Sequence, residues 1–343
     1  MDPEIQNFIA VWLTAAASLI YCHQIAARVP AGAARLLSLL PIMYLFTTLP
    51  LRLSSFHLGG PTIFYLVWLG NSKLLLFSFD QPPLSTTPPL SLLNFLSTAL
   101  LPIKHTSSSP TIAKSSSKSK IPKIAIFVVK CGLLALIVSL YRYRDSINPY
   151  LIYALYCCHV YLGVELTLAS TAAPVAALGL QLEPQFDEPY LATSLQDFWG
   201  RRWNLVAGGM LRATVYLPAR RALGGGRRAA AAAVVATFAA SGLMHELIYY
   251  YLSRVRPTWE VTWFFLLHGF LVAVEVGLKR ASGGMWRLPT AVARPLTLGI
   301  VAVTGAWLFF PQVIRNGMDL KAIDEYYVVL RFLRKSFYSI QYE

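Results

Sequence analysis

The feature that most constrains this chain is a series of apolar segments, each about as long as a membrane is thick. A helix needs roughly 20 mostly apolar residues to cross the hydrocarbon core of a bilayer. Lipid offers no hydrogen bonds to the backbone, so each spanning segment is predicted to be an α-helix. The sequence therefore predicts an all-α, polytopic transmembrane helical bundle with about eight or nine spans. Eight segments qualify: 8–27, 35–55, 60–79, 122–141, 149–170, 230–252, 260–279 and 293–311.

A ninth apolar segment, 92–103, is too short to cross and is predicted to be re-entrant or interfacial.

The composition of the chain also agrees with a lipid environment. Only 13% of the 343 residues are charged and 56% are hydrophobic, whereas soluble domains carry roughly 25% charged residues. The net charge of +14 comes from Lys and Arg placed between apolar segments, which favours contact with membrane lipid over nucleic acid.

The chain is divided by a segment that cannot form a core. Residues 104–123 are rich in Ser and Lys and are predicted to be a flexible basic loop. On this interpretation residues 1–103 form an N-terminal transmembrane bundle. Residues 124–343 form a C-terminal transmembrane region.

Ionisable residues inside membrane spans are costly and therefore mark functional sites. His245 lies within the apolar run 239–251. On a helical period, Ser241, Gly242 and Tyr249 share its face. The two small residues would let a substrate approach the imidazole, and Tyr249 could orient it. The alternative, a buried histidine that bridges two helices, has equal weight on these residues alone.

No metal site is predicted. The pair His245-Glu246 begins like the His-Glu-x-x-His motif of zinc proteases, but position 249 is Tyr. Glu246 lies about 100° around the helix from His245 and is expected to bond to another helix. The four cysteines show no Cys-x-x-Cys spacing, so neither a zinc cluster nor a disulfide framework is expected.

A second polar region begins at Ser194. Ser194-Leu-Gln-Asp197 resembles a capping box that starts a helix. An interfacial helix is predicted near 194–207, with Trp199 and Trp203 on its apolar stripe at the level of the lipid headgroups.

The polar residues of this predicted helix are candidates for ligand binding. Asp197 and Arg201 have the i, i+4 spacing of an ion pair. Arg202 falls within the apolar stripe, where it could reach a phosphate or meet an anionic ligand. Asn204 is directed away from the stripe, towards protein or a cavity.

These stretches resemble the plant wax synthases, a family of the membrane-bound O-acyltransferase superfamily. The resemblance rests first on Ser194-Leu-Gln-Asp-Phe-Trp-Gly-Arg-Arg-Trp-Asn204 and Phe238-Ala-Ala-Ser-Gly-Leu-Met-His-Glu-Leu247. Phe265-Leu-Leu-His-Gly269, Gln6-Asn-Phe-Ile-Ala-Val-Trp12 and Leu74-Leu-Leu-Phe-Ser-Phe-Asp80 extend it nearly end to end.

The resemblance implies that fatty acyl-CoA and a long-chain alcohol react to give a wax ester and CoA, in the endoplasmic reticulum membrane. It implies that His245 is catalytic and that Asn204 assists it. Acyl-CoA enters as a co-substrate, and no cofactor or metal is expected. Trp199, Trp203, Arg201 and Arg202 would then contact substrate, with the arginines facing the CoA phosphates.

Two other functions stay open. A related acyltransferase could esterify a sterol or diacylglycerol, because the width of the pocket decides the acceptor and the sequence does not reveal it. A lipid transporter would also place His and Glu inside the membrane, but the inverted repeats typical of transporters are not evident. The oligomeric state is not predicted.

Overall fold

The structure, a computed structural model, describes residues 2–103, 123–177, 182–283 and 288–341. Helices dominate these ranges, and one isolated antiparallel bridge joins Ile103 to Leu182. Their bounds are α1 Pro3–Gln24, α2 Ala33–Thr48, α3 Phe56–Thr62, α4 Asn71–Ser78, α5 Leu92–Leu100, α6 Lys123–Leu140, α7 Pro149–Ala177, α8 Leu195–Asp197, α9 Leu205–Leu211, α10 Leu217–Ala222, α11 Arg227–Ser253, α12 Glu260–Ala281, α13 Thr290–Thr304, α14 Phe310–Arg315 and α15 Met318–Gln341.

The predicted all-α membrane architecture is confirmed. Within the described residues, seven helical stretches are long and apolar enough to cross a bilayer. They are Pro3–Arg28, Ala33–Arg52, Ile124–Ser146, Pro149–Thr167, Arg227–Ser253, Glu260–Ala281 and Thr290–Arg315. The predicted basic loop 104–123 lies outside the described residues except for Lys123, which already belongs to α6.

The predicted span 60–79 is the one that does not qualify. It is helical, because α3 continues through the π-helical stretch Ile63–Gly70 into α4. However, Asn71, Ser72 and Lys73 interrupt its apolar run, and nearly all of the π-helical stretch is buried in protein. The segment is therefore a helix packed inside the protein, which composition alone does not distinguish from a span.

The chain forms two compact units whose boundaries do not follow the chain order. The first unit contains Met1–Pro102, Ala207–Arg287 and Leu308–Glu343, and the second contains Ile103–Val206 and Leu288–Trp307. The N-terminal helices thus share a unit with α11 and α12. Their core joins α1, α2, α4 and α5 around buried residues, among them Val11, Leu19, Leu39, Phe46 and Leu74.

Helices α11 and α12 of the first unit pack closely because glycines remove the side chain at their crossing. A Cβ atom added to Gly242 would lie 2.8 Å from Thr262 Cα. One added to Gly269 would lie 2.7 Å from Phe238 Cβ. Small residues at such positions let the backbones of membrane helices approach each other.

The C-terminal helix α15 is held to the start of α3 by a carboxylate. Glu325 accepts hydrogen bonds from the backbone N–H groups of Phe56 (2.5 Å) and His57 (2.9 Å) and from the Ser55 hydroxyl (2.9 Å). It also pairs with the His57 ring at 2.8 Å. Burial raises the pKa of Glu325, but these hydrogen bonds outweigh it and bring the pKa to about 2.

The second unit contains an ion pair within its membrane helices. Lys130 of α6 bonds to Glu165 of α7, and its ammonium lies 5.7 Å from the centre of the Tyr161 ring. Lys130 lies inside the predicted span 122–141, and the sequence did not indicate it as the partner of Glu165. Pairing lowers the cost of both charges in lipid and fastens the two helices together.

Candidate functional site

His245 lies on α11 in the first unit, half-buried among aromatic rings. The Phe265 ring is closest, with its centre 4.4 Å from the imidazole centre. Phe309 and Trp68 follow at 5.9 Å and 6.1 Å. These rings come from distant parts of the chain, so no local sequence pattern indicated them. Together they form an apolar wall along the imidazole.

The hydrogen bonding of His245 determines which of its nitrogens is available. Nδ1 lies 2.7 Å from the carbonyl oxygen of Ser241, one turn earlier on the same helix. A carbonyl oxygen only accepts hydrogen bonds, so Nδ1 carries the proton. In the neutral ring Nε2 then keeps its lone pair and can act as a base.

The small residues before His245 serve helix packing. Ser241 and Gly242 are both buried, and the space beside Gly242 is filled by Thr262. The Tyr249 hydroxyl donates to the carbonyl oxygen of Phe309 at 3.2 Å, so it fixes the segment that carries one of the aromatic rings. The substrate contacts predicted for Ser241, Gly242 and Tyr249 stay predictions.

Glu246 bonds across helices, as expected. Its side chain is buried, and its Oε1 accepts from the backbone N–H of Thr262 on α12 at 3.3 Å. Within the described residues, no three His, Cys, Asp or Glu side chains come together as they would around a metal ion.

The prediction of one helix near 194–207 is wrong, because the helix breaks within this range. Helix α8 begins at the expected cap, where the Ser194 hydroxyl accepts from Asp197 N–H at 3.1 Å. It continues as a π-helical stretch through Arg202 and then breaks. Asn204 has a φ of +43°, a left-handed conformation that Asn adopts more readily than most residues. A separate helix, α9, starts at Leu205.

The two arginines before the break have different surroundings. Arg202 Nε bonds to Asp197 Oδ2 at 2.9 Å, and its Nη1 donates to the Asp187 carbonyl oxygen at 3.0 Å. Arg201 Nε lies 3.1 Å from Asp197 Oδ1, but its side chain is 76% exposed. Arg202 therefore holds the loop together, whereas Arg201 presents its guanidinium to the outside.

Asp197 is the anchor for both arginines. It is 6% exposed. Burial raises its pKa, but the hydrogen bonds from Arg202 and the backbone of Thr193, together with the charge of Arg201, bring it below its usual value. The predicted pairing of Asp197 with Arg201 is confirmed.

The tryptophans of this segment pack against aromatic side chains of the second unit. The Trp203 ring stacks on Phe198, with centres 5.4 Å apart and planes at 15°. Its centre is 5.0 Å from Phe186 and 6.4 Å from Trp199. Trp203 is thus a packing residue of the loop that precedes Asn204.

The two residues predicted to be catalytic fall in different units: His245 in the first and Asn204 in the second. Around His245 the structure brings together an oriented base and an aromatic wall. Around Asn204 it brings together a strained turn, an arginine-carboxylate anchor and an aromatic cluster.

Similarity to known proteins decides the family. Residues 182–267, which include both Asn204 and His245, match the model of a membrane bound O-acyl transferase family. A long-chain-alcohol O-fatty-acyltransferase of Simmondsia chinensis is 50% identical, over 98% of this chain and 97% of its own length. The chain belongs to the membrane-bound O-acyltransferases.

Two further relatives show the breadth of the family. A probable long-chain-alcohol O-fatty-acyltransferase of Arabidopsis thaliana is 45% identical over 96% of this chain and 97% of its own length. An acyl-CoA–sterol O-acyltransferase of the same plant is 42% identical over 95% of this chain and 96% of its own length. This acyltransferase therefore resembles enzymes with two kinds of acceptor alcohol along nearly its whole length.

Proposed function

We propose that this acyltransferase moves a fatty acyl group from acyl-CoA to a long-chain alcohol and releases a wax ester and CoA. The support is twofold. Relatives that carry this activity in their names are 50% and 45% identical, and the Nδ1 bond of His245 leaves its Nε2 ready to accept a proton.

In the proposed reaction, His245 is the general base. The thioester is already activated, whereas the alcohol is a poor nucleophile until it loses its proton. Nε2 takes the hydroxyl proton while the alcohol oxygen bonds to the thioester carbonyl carbon. When the tetrahedral intermediate collapses, the carbon–sulfur bond breaks, and the leaving thiolate receives that proton from the imidazolium.

Asn204 is proposed to stabilise the negative charge that develops on the thioester oxygen. A preorganised amide donor suits this role, because it needs no rearrangement as the charge appears. The left-handed turn at Asn204 and the anchored loop before it hold the residue in a defined conformation, which such a donor requires.

Arg201 is proposed to meet the phosphates of CoA, since its guanidinium is exposed and matches phosphate geometry. Arg202 is proposed to act on the donor through the loop, because its Nε and Nη1 already bond to Asp197 and Asp187. The endoplasmic reticulum membrane is the proposed location, since a multi-pass protein whose two substrates carry long apolar chains fits a membrane where lipids are made.

A sterol is the second candidate acceptor, favoured by the sterol acyltransferase relative that is 42% identical over 95% of this chain. The experiment is a competition assay. Membranes containing the expressed protein, and lacking background activity, receive labelled acyl-CoA with equal amounts of fatty alcohol, sterol and diacylglycerol. Wax ester as the main product supports the proposal. Steryl ester or triacylglycerol as the main product would assign another acceptor, and no labelled ester at all would refute acyl transfer.

A further inference from the structure

Gln185 is a buried residue of the second unit that the proposed mechanism does not use. Its side chain is 5% exposed. Among the residues that the structure describes, neither its Nε2 nor its Oε1 has a hydrogen-bond partner. A buried amide without a partner costs free energy, and most buried polar side chains in proteins are hydrogen-bonded. A buried amide whose two polar atoms both lack a partner within the described chain is therefore a candidate for binding a ligand.

The backbone places Gln185 beside the turn that carries Asn204. The carbonyl oxygen of Gln185 accepts from Leu205 N–H at 2.8 Å. Two residues further on, Asp187 N–H donates to the carbonyl oxygen of Arg202 at 2.9 Å. These two bonds bracket Trp203 and Asn204, so the Gln185 segment and the Asn204 turn form one local structure.

The neighbours of Gln185 limit what its side chain can bind. Phe186 follows it in the chain and packs on Trp203, with ring centres 5.0 Å apart. Tyr161 adds a third ring, 5.2 Å from Phe186 and 6.5 Å from Trp203. Gln185 precedes this cluster in the chain, and its own side chain offers one acceptor, Oε1, and one donor group, Nε2.

That pattern fits a group that both donates and accepts hydrogen bonds. Among such groups of the donor, the amides stand closest to the thioester, whereas the adenine lies beyond the phosphates. A phosphate accepts only and would leave Oε1 without a partner. An acyl chain offers nothing, and a thioester only accepts. A secondary amide offers one N–H and one carbonyl oxygen. Acyl-CoA carries two such amides in its pantetheine arm, between the thioester and the phosphates.

We propose that the Gln185 carboxamide binds an amide of the pantetheine arm of acyl-CoA, next to the Asn204 turn. This inference rests on acyl-CoA being the donor in the proposed function. Gln185 then holds the pantetheine arm beside the Asn204 turn when acyl-CoA binds.

The test replaces Gln185 with Leu, which removes both hydrogen-bonding atoms and keeps an apolar side chain. The KM for acyl-CoA is expected to rise about tenfold or more, because both hydrogen bonds to the donor amide are lost. The kcat at saturating acyl-CoA and the KM for the alcohol should change less than about twofold. Thermal stability should stay equal or rise, because an amide without a protein partner is removed from the interior.

The matched control is Gln196→Leu, an exposed glutamine in the same segment, which should leave all four quantities unchanged. Gln185→Met, which is unbranched and closer in length, serves as a second variant if the Leu variant fails to fold. Equilibrium binding of acyl-CoA to the purified protein without alcohol measures the donor contact separately from acyl transfer.

Several results would overturn the inference. An unchanged KM and unchanged binding of acyl-CoA would show that Gln185 does not touch the donor. A fall in kcat alone would assign it to the chemical step, and failure of both variants to fold would make it structural. Absence of ester formation by the wild type would instead refute the proposed function, while the binding measurement would still decide the role of Gln185.

Discussion

The close packing of α11 against α12 makes Gly242→Ala a sensitive test of how His245 is positioned. The new methyl group would lie 2.8 Å from Thr262 Cα, whereas ordinary contact begins near 3.4 Å. The helices must therefore separate by about 0.6 Å, the difference of those distances, because the obstructing atom belongs to the backbone and cannot rotate away. Overpacking of this kind costs about 1–3 kcal/mol, and the better helix propensity of Ala returns less than about 1 kcal/mol.

The displacement also reaches the reaction, since His245 is one turn along the same helix. A shift of 1 Å in a reacting group can lower a rate about 10²-fold, so a shift of this size is expected to lower kcat about tenfold. The assay combines thermal unfolding of the purified protein in detergent with initial rates of ester formation.

Gly277→Ala is the control, because a Cβ at Gly277 of α12 meets nothing within 4 Å. It should keep the wild-type kcat and unfold at or slightly above the wild-type temperature, because Ala has a better helix propensity than Gly. If Gly242→Ala also unfolded at the wild-type temperature with the wild-type kcat, the packing argument and the positional requirement on His245 would both be refuted.

Three further predictions concern Asn204, the two arginines and the C-terminal helix. Asn204→Ala should lower kcat by about 10²–10³-fold with a smaller effect on either KM, and a change in KM alone would make Asn204 a binding residue. Arg201→Gln should raise the KM for acyl-CoA and weaken the salt dependence of that KM, whereas Arg202→Gln should mainly lower thermal stability. If both variants changed the KM and the thermal stability equally, the distinction between an exposed and an anchored guanidinium would be contradicted. Glu325 has a lowered pKa of about 2, so the stability it adds is present above its unfolded pKa of about 4.3 and is lost as the pH falls towards 2. The difference in unfolding temperature between wild type and Glu325→Gln should accordingly be large at pH 5 and vanish near pH 2, and a difference independent of pH would contradict this.

The membrane spans were predictable because their cause is local. A run of apolar residues is enough to cross a bilayer as a helix, and seven of the eight predicted spans are found. The segment 60–79 deviates for a reason that is not local. The polar residues in its middle are tolerated because other helices of the first unit cover the segment. The sequence alone does not indicate which helices these are.

The same distinction between local and distant causes applies to the candidate site. His245 was indicated by its position inside a membrane span, and both His245 and Asn204 lie in family motifs made of consecutive residues. The rings around His245 and the Lys130–Glu165 pair depend on contacts between distant segments. The break at Asn204 was missed because the helical period of the tryptophans continues through it, although an Asn after a helical run is a signal for a left-handed turn.

The most direct test of the proposed chemistry is product formation by His245→Ala compared with wild type. Both proteins are expressed in membranes lacking background activity, matched for amount, and supplied with labelled acyl-CoA and a long-chain alcohol. Without a base at Nε2, His245→Ala should form no wax ester above background while it still inserts into the membrane and binds acyl-CoA. Substantial turnover by a well-folded His245→Ala protein would contradict the assignment of His245 as the general base.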